Sequence, residues 1–212
     1  MTLPRSFYDR PTLDVARDLI GKVLVHNRGG VTTSGVIVEV EAYIGESDPA
    51  CHAAPGPTRR NEPLYGAPGH AYVYLNYGIH CLMNVVTEAP GHPAAVLIRS
   101  LDPVDGMAAM RRRRGRVMKG RRANQDGASL LQRDLCRGPG NLTMAMGITL
   151  AENRLDLLGD RLFVEDRGVP AGRIVSGTRI GIRVGVDRPW RLWVAGHPAV
   201  SGKTTADVAP MA

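Results

Sequence analysis

Apolar side chains recur at helical spacing over residues 12–20. Leu13, Ala16, Leu19 and Ile20 line one face, Thr12 stands as N-cap, and Gly21 follows the end. The period then shortens to two: KVLVH (22–26) and GVIVEVEAY (35–43) read as strands joined through a turn at Gly29-Gly30. In the second run, alternation places Val36, Val38 and Val40 on one face and Ile37, Glu39 and Glu41 on the other. Two carboxylates thus share one side of a strand. HAYVYL (70–75) and IHCLMNVV (79–86) flank Asn76-Tyr77-Gly78, a hairpin signal. AAVLIRSL (94–101) predicts a further strand that leads through Asp102-Pro103 into a helix from about 103. Short helices are expected around 128–133 and 141–147, and strands at 161–165, 173–175, 178–186 and 191–195. Residues 44–70, rich in Gly, Pro, Ala and Asn, form a stretch too long to be structureless without a task, and predict a functional loop.

Helices mixed with hairpin-connected strands predict an α+β fold: a single domain on a curved, mostly antiparallel sheet, with surrounding short helices and a protruding β-hairpin. Its expected span is 1–202, with 203–212 a disordered tail. The 212 residues, 43% hydrophobic, suffice to bury one core. MTLPRSFYDRP has charges and prolines where a secretory signal needs an apolar stretch, and AAVLI (94–98) is far short of a membrane span. The expected location is cytoplasm or nucleoid in a bacterium and nucleus in a eukaryote. Cys51, Cys81 and Cys136 are scattered and lack the spacing of a zinc site, so reduced, mostly buried thiols and no metal are expected.

A formal charge of +7 points to a polyanionic partner. RRRRGRVMKGRR (111–122) packs eight cations into twelve residues, which reads as a solvated, mobile loop able to touch phosphates, with Arg111, Arg112, Arg113 and Arg114 as the contact candidates.

Chemistry concentrates in the first third of the chain, where five of the six tyrosines (Tyr43, Tyr65, Tyr72, Tyr74, Tyr77) fall between residues 43 and 77. Tyr72 and Tyr74 share a strand face, so at least one points to the interior or to a pocket. Tyr77 lands on the hairpin tip, where its own hairpin cannot bury it, and exposed wedges of this kind are inserted between base steps. An enzyme acting on a base in a duplex must expose it at a cost of a few kcal/mol, and then needs flat surfaces to hold it.

VEVEAYIGESDPACHA (38–53), RNEPLYGAPGHAYVYLNYGIHCLMNVV (60–86), AVLIRSLDP (95–103), LCRGPGNLTMAMGI (135–148) and RIGI (179–182) together resemble the alkyladenine (3-methyladenine) DNA glycosylase family, in family order from about residue 6 to residue 201. The resemblance implies that Glu41 activates the attacking water, with Arg99 beside that water and a backbone carbonyl near Ile180 helping to hold it. It implies that Tyr77 enters the duplex, that Tyr43, His52 and Tyr74 surround the extruded base, and that Asn84 senses the purine edge. The implied partner is double-stranded DNA carrying damaged purines; no cofactor is expected, and a monomer is the default expectation because the sequence shows no oligomerisation signal. The Arg-rich segment, His80 and the residues at 95–98 depart from the family pattern and bear on substrate range.

Two rival readings start from the same residues. Glu39, Glu41, Asp102 and Asp105 clustered around magnesium would make a nuclease, and the basic surface with its tyrosines would make a binding module that has no use for Glu41. For Glu39, a surface or salt-bridged strand carboxylate is the expectation. For His26, His70, His92 and His197, satisfied surface or turn positions are expected.

Overall fold

A computed structural model describes residues 1–118 and 129–202. The period-two segments form one curled, antiparallel, half-barrel sheet, and the short helices pack on it to complete an α+β domain. The strands are β1 (Val23–Arg28), β2 (Val31–Ile44), β3 (Ala71–Asn76), β4 (His80–Val86), β5 (Ala94–Asp105), β6 (Leu162–Glu165), β7 (Ile174–Gly177) and β8 (Arg191–Val194). Their order is β3-β4-β5-β2-β1-β6, and β8 joins β2 on the β1 side and carries β7. The helices are α1 (Arg5–Tyr8), α2 (Thr12–Leu19), α3 (Met107–Met118), α4 (Gln132–Leu135) and α5 (Pro139–Met146). Among the described residues no helix is long and apolar enough to cross a membrane.

β2 is the spine, pairing with β5 along one edge and with β1 and then β8 along the other. Its strict alternation is broken once. Ile37 faces Leu101 and Glu39 faces Ser100, so Val38 is an extra residue on β2; Val40 then faces Ile98, so Arg99 is an extra residue on β5. Two bulges in adjacent strands flip the phase of both together. Ile37, Val40, Ala42, Ile98 and Leu101 therefore share the main core, whereas Glu39 and Glu41 face the opposite side with Arg99. The expected pairing of Glu39 with Glu41 holds. Ile37 does not join them, because the bulge intervenes.

The core face is covered by Val15, Ala16 and Leu19 of α2, Met110 of α3, and Leu142, Ala145 and Met146 of α5. Thr12 is the first helical residue rather than the cap: Pro11 holds the N-cap position, and the Thr12 hydroxyl turns to Thr87 and Glu88. Other boundaries move too. β5 runs on to Asp105, so the helix expected from about 103 begins at Met107, and the helix placed at 128–133 is the single turn Gln132–Leu135. The segment 178–186 is not a strand but a run of turns and bends.

The basic run is not a loop where it is described. Residues 111–118 belong to α3, and 119–128 lie outside the described residues, as does the tail 203–212. The Arg113 guanidinium donates to the Ala145 carbonyl at 2.9 Å, and buried Arg114 donates to the carbonyls of Asp134 (3.0 Å) and Leu135 (2.5 Å). Those three carbonyls lie in the last turns of α5 and α4, where the helix itself supplies no donors, so the two arginines satisfy them and place positive charge at the negative helix ends. Arg114 is thereby withdrawn from the set of phosphate contacts, while Arg112 remains exposed. His26 is likewise not at the surface; it is fully buried on β1 and shares a hydrogen bond between Nδ1 and the Met146 carbonyl at 3.0 Å.

Candidate active site

On the face opposite the helices, a cleft of about 360 Å³ is walled by Tyr43, His52, Tyr72, Tyr74, Asn84, Arg99 and Ile180, with Tyr77 at its rim. This volume lies in the ~300–1,000 Å³ range of small-molecule sites. Strands β2, β3, β4 and β5 supply the floor, the 45–70 loop supplies one wall, and the 178–190 segment supplies the other.

Glu41 is fully buried behind this cleft, in contact with three residues that line it, Tyr43, Arg99 and Ile180. Its Oε1 accepts from the Ile180 N–H at 2.6 Å and lies 3.2 Å from Arg99 Nη1; its Oε2 accepts from the Tyr43 hydroxyl at 2.8 Å. All three partners are donors, an arrangement suited to a carboxylate that only accepts. Three donors occupy three of roughly four lone-pair positions, which leaves one on Oε2 for a proton of a further molecule.

Arg99 is held from behind. Glu39, fully buried, accepts from Arg99 Nε (3.0 Å), Arg191 Nε (2.7 Å), the Ser100 hydroxyl (2.9 Å) and the Ser201 amide (2.7 Å). Burial opposes its ionisation, but Arg99, Arg191 and Ser201 outweigh burial and hold the carboxyl below the usual glutamate range. Glu39 is thus the salt-bridged strand carboxylate expected for it, and it carries no open lone pair toward the cleft.

The aromatic wall comes from β3 and the loop. His52 and Tyr74 meet at 4.4 Å between ring centroids, and Tyr72 and Tyr74 at 5.4 Å. The His52 Nδ1 and the Tyr72 hydroxyl share a hydrogen bond at 2.9 Å. Burial, helped by Arg60, lowers the His52 pKa and favours the neutral ring, while burial raises the Tyr72 hydroxyl to about 12. Asn61 staples this wall in place: its Nδ2 donates to the carbonyls of His52 (2.7 Å) and Gly56 (2.9 Å), and its Oδ1 accepts from the Thr58 amide (2.7 Å). Asn84 donates to the Tyr72 carbonyl at 3.1 Å, so its amide is oriented by the neighbouring strand. Cys51 also lines the cleft, but burial pushes its thiol up to about 11, away from a nucleophilic thiolate.

The hairpin tip is built by Tyr77 and Gly78, with φ of +48° and +68°, and is closed by the Ile79 amide donating to the Asn76 carbonyl at 3.0 Å. Both central residues have the positive φ of a primed turn, and Gly78 supplies one at no steric cost. Tyr77 stands 89% exposed between Leu75 (40%) and Ile79 (58%), an apolar prow beside the cleft mouth.

A family model described as Methylpurine-DNA glycosylase (MPG) matches residues 6–198. The chain belongs to the methylpurine-DNA glycosylase family. Similar proteins occur in both bacteria and archaea, each named provisionally as a 3-methyladenine DNA glycosylase. One from Methanocella arvoryzae is 46% identical over 97% of this chain and 98% of its own length. One from Chlorobium phaeobacteroides is 46% identical over 95% and 96%, and one from Rubrobacter xylanophilus is 49% identical over 85% and 87%.

Among the residues singled out from the sequence, the structure of this methylpurine-DNA glycosylase family member places Arg99, Tyr43, His52, Tyr74, Tyr77, Asn84 and Ile180 along one cleft, with Glu41 buried behind it against Tyr43, Arg99 and Ile180. Ile180 meets Glu41 through its amide, a contact not anticipated for that residue. The four carboxylates of the nuclease reading are not brought together: Asp102 lies 3.6 Å from His197, Asp105 binds Ser34 and Arg167, and Glu39 is saturated by its own partners. Asn61, Asp48 and Arg179 were not anticipated as site residues, and Tyr72 was expected only as one of two tyrosines of which at least one points to the interior or to a pocket. Asp48 lies in the DPACHA segment and Arg179 opens RIGI, so both stood inside the resembling blocks, but nothing in their spacing links positions 131 residues apart.

Proposed function

We propose that this protein is a monofunctional DNA N-glycosylase that extrudes alkylated or deaminated purines from duplex DNA and hydrolyses their N-glycosidic bond. The substrate class is 3-methyladenine, 7-methylguanine, hypoxanthine and ethenoadenine. The observation that carries this reading is the buried Glu41 carboxylate, with one acceptor position free, held by Tyr43, Arg99 and Ile180 of an aromatic-walled cleft that has an exposed tip tyrosine at its rim.

The basic surface attracts the phosphate backbone, Tyr77 fills the gap left in the stack, and the damaged nucleotide enters between Tyr43, His52 and Tyr74. Water donates one hydrogen bond to Glu41 Oε2 and turns a lone pair toward the sugar C1′. As the C1′–N bond breaks, its electron pair leaves with the base, the oxocarbenium-like sugar is stabilised by the same carboxylate, and the water's proton passes to Glu41. A cationic alkylated base leaves as a neutral molecule, so it needs little acid assistance. Glu39 and Arg99 keep the Glu41 oxygens aimed. Lys22, the one lysine among the described residues, pairs with Asp166 at 2.5 Å rather than entering the cleft, which fits hydrolysis without a Schiff base.

The test incubates duplexes carrying one hypoxanthine or one 3-methyladenine with the protein in EDTA, and measures free base and strand breaks before and after alkali. Free base with breaks only after alkali is expected. Lesion binding without release would contradict the proposal, as would EDTA-sensitive cleavage.

A further inference from the structure

We propose that the buried ion pair of Asp48 and Arg179 is the positioning device that fixes two of the three donors on Glu41, and that it governs the chemical step rather than DNA binding. This inference rests on the glycosylase reading above.

Both side chains are fully buried, and the contact is bidentate: Nη1 to Oδ2 at 2.5 Å and Nη2 to Oδ1 at 2.8 Å. Arg179 sits in a segment, 178–190, with neither helix nor strand, and its neighbours Thr178, Gly181, Arg183 and Val184 are exposed. It is therefore the inward anchor of a wall that has no sheet ladder to hold it. The residue that follows is Ile180, whose amide donates to Glu41 Oε1 at 2.6 Å. The Cζ of the same guanidinium lies over the Tyr43 ring, 4.7 Å from its centroid, and the Tyr43 hydroxyl donates to Glu41 Oε2 at 2.8 Å. The same Cζ lies 5.2 Å from the ring centroid of Trp190. One group thus touches the ring of one donor and adjoins the backbone of the other. Arg99, the third partner, is fixed separately by Glu39.

Further contacts tie the pair to the chain on both sides, among them Arg188 Nη1 at 3.7 Å from Asp48 Oδ1 and the Gly185 carbonyl, which accepts from Arg179 Nη2 at 3.4 Å. Arg179 Nη1 also donates to the Ala42 carbonyl (3.0 Å), between Glu41 and Tyr43, and Asp48 accepts from the amides of Ile44 (3.3 Å) and Ala50 (3.2 Å), leading toward His52. Gly185 leaves room for it, since a Cβ there would come within 3.0 Å of Arg179 Nη2.

Stability alone does not account for such a pair. Two buried charges cost desolvation, and well-packed apolar residues of similar volume often serve the fold as well or better. What apolar packing lacks is a fixed angle, which a planar fork on a carboxylate supplies. Misplacing a reacting group by about 1 Å is worth on the order of 100-fold in rate.

The test compares the wild type with Asp48→Asn and with the apolar double variant Asp48→Leu/Arg179→Met, which removes both fully buried charges and leaves the partly exposed Arg188, 3.7 Å from Asp48 Oδ1, its contacts with the Ser47 carbonyl and Trp190. For each, thermal melting, the dissociation constant for a hypoxanthine duplex and the single-turnover rate of base release at saturating enzyme are measured. The expected result is a release rate lower by about 100-fold, with lesion binding unchanged, in every variant that melts cooperatively. A folded variant that releases base at the wild-type rate would overturn the proposal, as would equal losses of affinity and rate. If the wild type itself releases no base, the glycosylase reading fails and this proposal with it. A wild type that works and an Asp48→Asn that matches it sinks the positioning role alone.

Discussion

Replacing Glu39 by Gln removes the charge that two buried arginines share. Glu39 Oε1 accepts from Arg99 and Arg191 and Oε2 from Ser100 and Ser201, and the carboxylate is fully buried, so solvent screening takes little from the interaction. Breaking one partner of a buried pair costs about 3–5 kcal/mol, and at this chain length each kcal/mol moves Tm by roughly 2–4 °C, so a fall of roughly 6–20 °C is expected. The sign of the pH dependence follows from the direction of the shift. Glu39 is held below the ordinary glutamate range, so its contribution is complete above that range and is lost as pH falls through the folded-state value. Glutamine does not titrate. The difference in Tm between wild type and Glu39→Gln should therefore be constant near neutrality and should shrink as the solution is acidified below the range of an unfolded glutamate. Differential scanning calorimetry across that range measures it. A difference under about 2 °C at neutral pH, less than one kcal/mol on the same scale, would refute the reasoning, and so would a difference that does not narrow in acid.

Two further outcomes follow from burial alone. Tyr77 is almost wholly exposed, so Tyr77→Ala should leave Tm unchanged while weakening the complex with a lesion duplex by about 1–3 kcal/mol, the worth of one stacking contact; fluorescence anisotropy and a melt separate the two effects. Arg112 faces solvent whereas Arg114 is buried against two carbonyls. If Arg112 contacts a phosphate, Arg112→Ala should lower the slope of log affinity against log salt by about 0.9 with no loss of stability. Arg114→Ala should instead lower Tm and leave the salt slope alone.

Most strands were legible because half-buried strands alternate, and the cleft residues were legible because tyrosines crowd one stretch and the blocks resemble a family. The misses share a cause: each turns on long-range contacts. The paired bulges at Val38 and Arg99 are a property of two strands in register, so alternation read along one strand assigns Ile37 to the wrong face. The arginine run reads as a solvated loop until α4 and α5 present their terminal carbonyls to Arg114 and Arg113. RIGIRVGV (179–186) alternates like a strand, yet it finds no ladder partner and is fixed through buried Arg179 and the Ile180 amide. Glycines at 181 and 185, both with positive φ, were the local sign that this segment turns.

The most direct test of the account is the single-turnover release of base from a hypoxanthine duplex by Glu41→Gln, with lesion binding measured alongside. Loss of the general base predicts a rate lower by about 10²- to 10⁴-fold with binding retained. Release at the wild-type rate would contradict the central role given to Glu41 and to the cleft built around it.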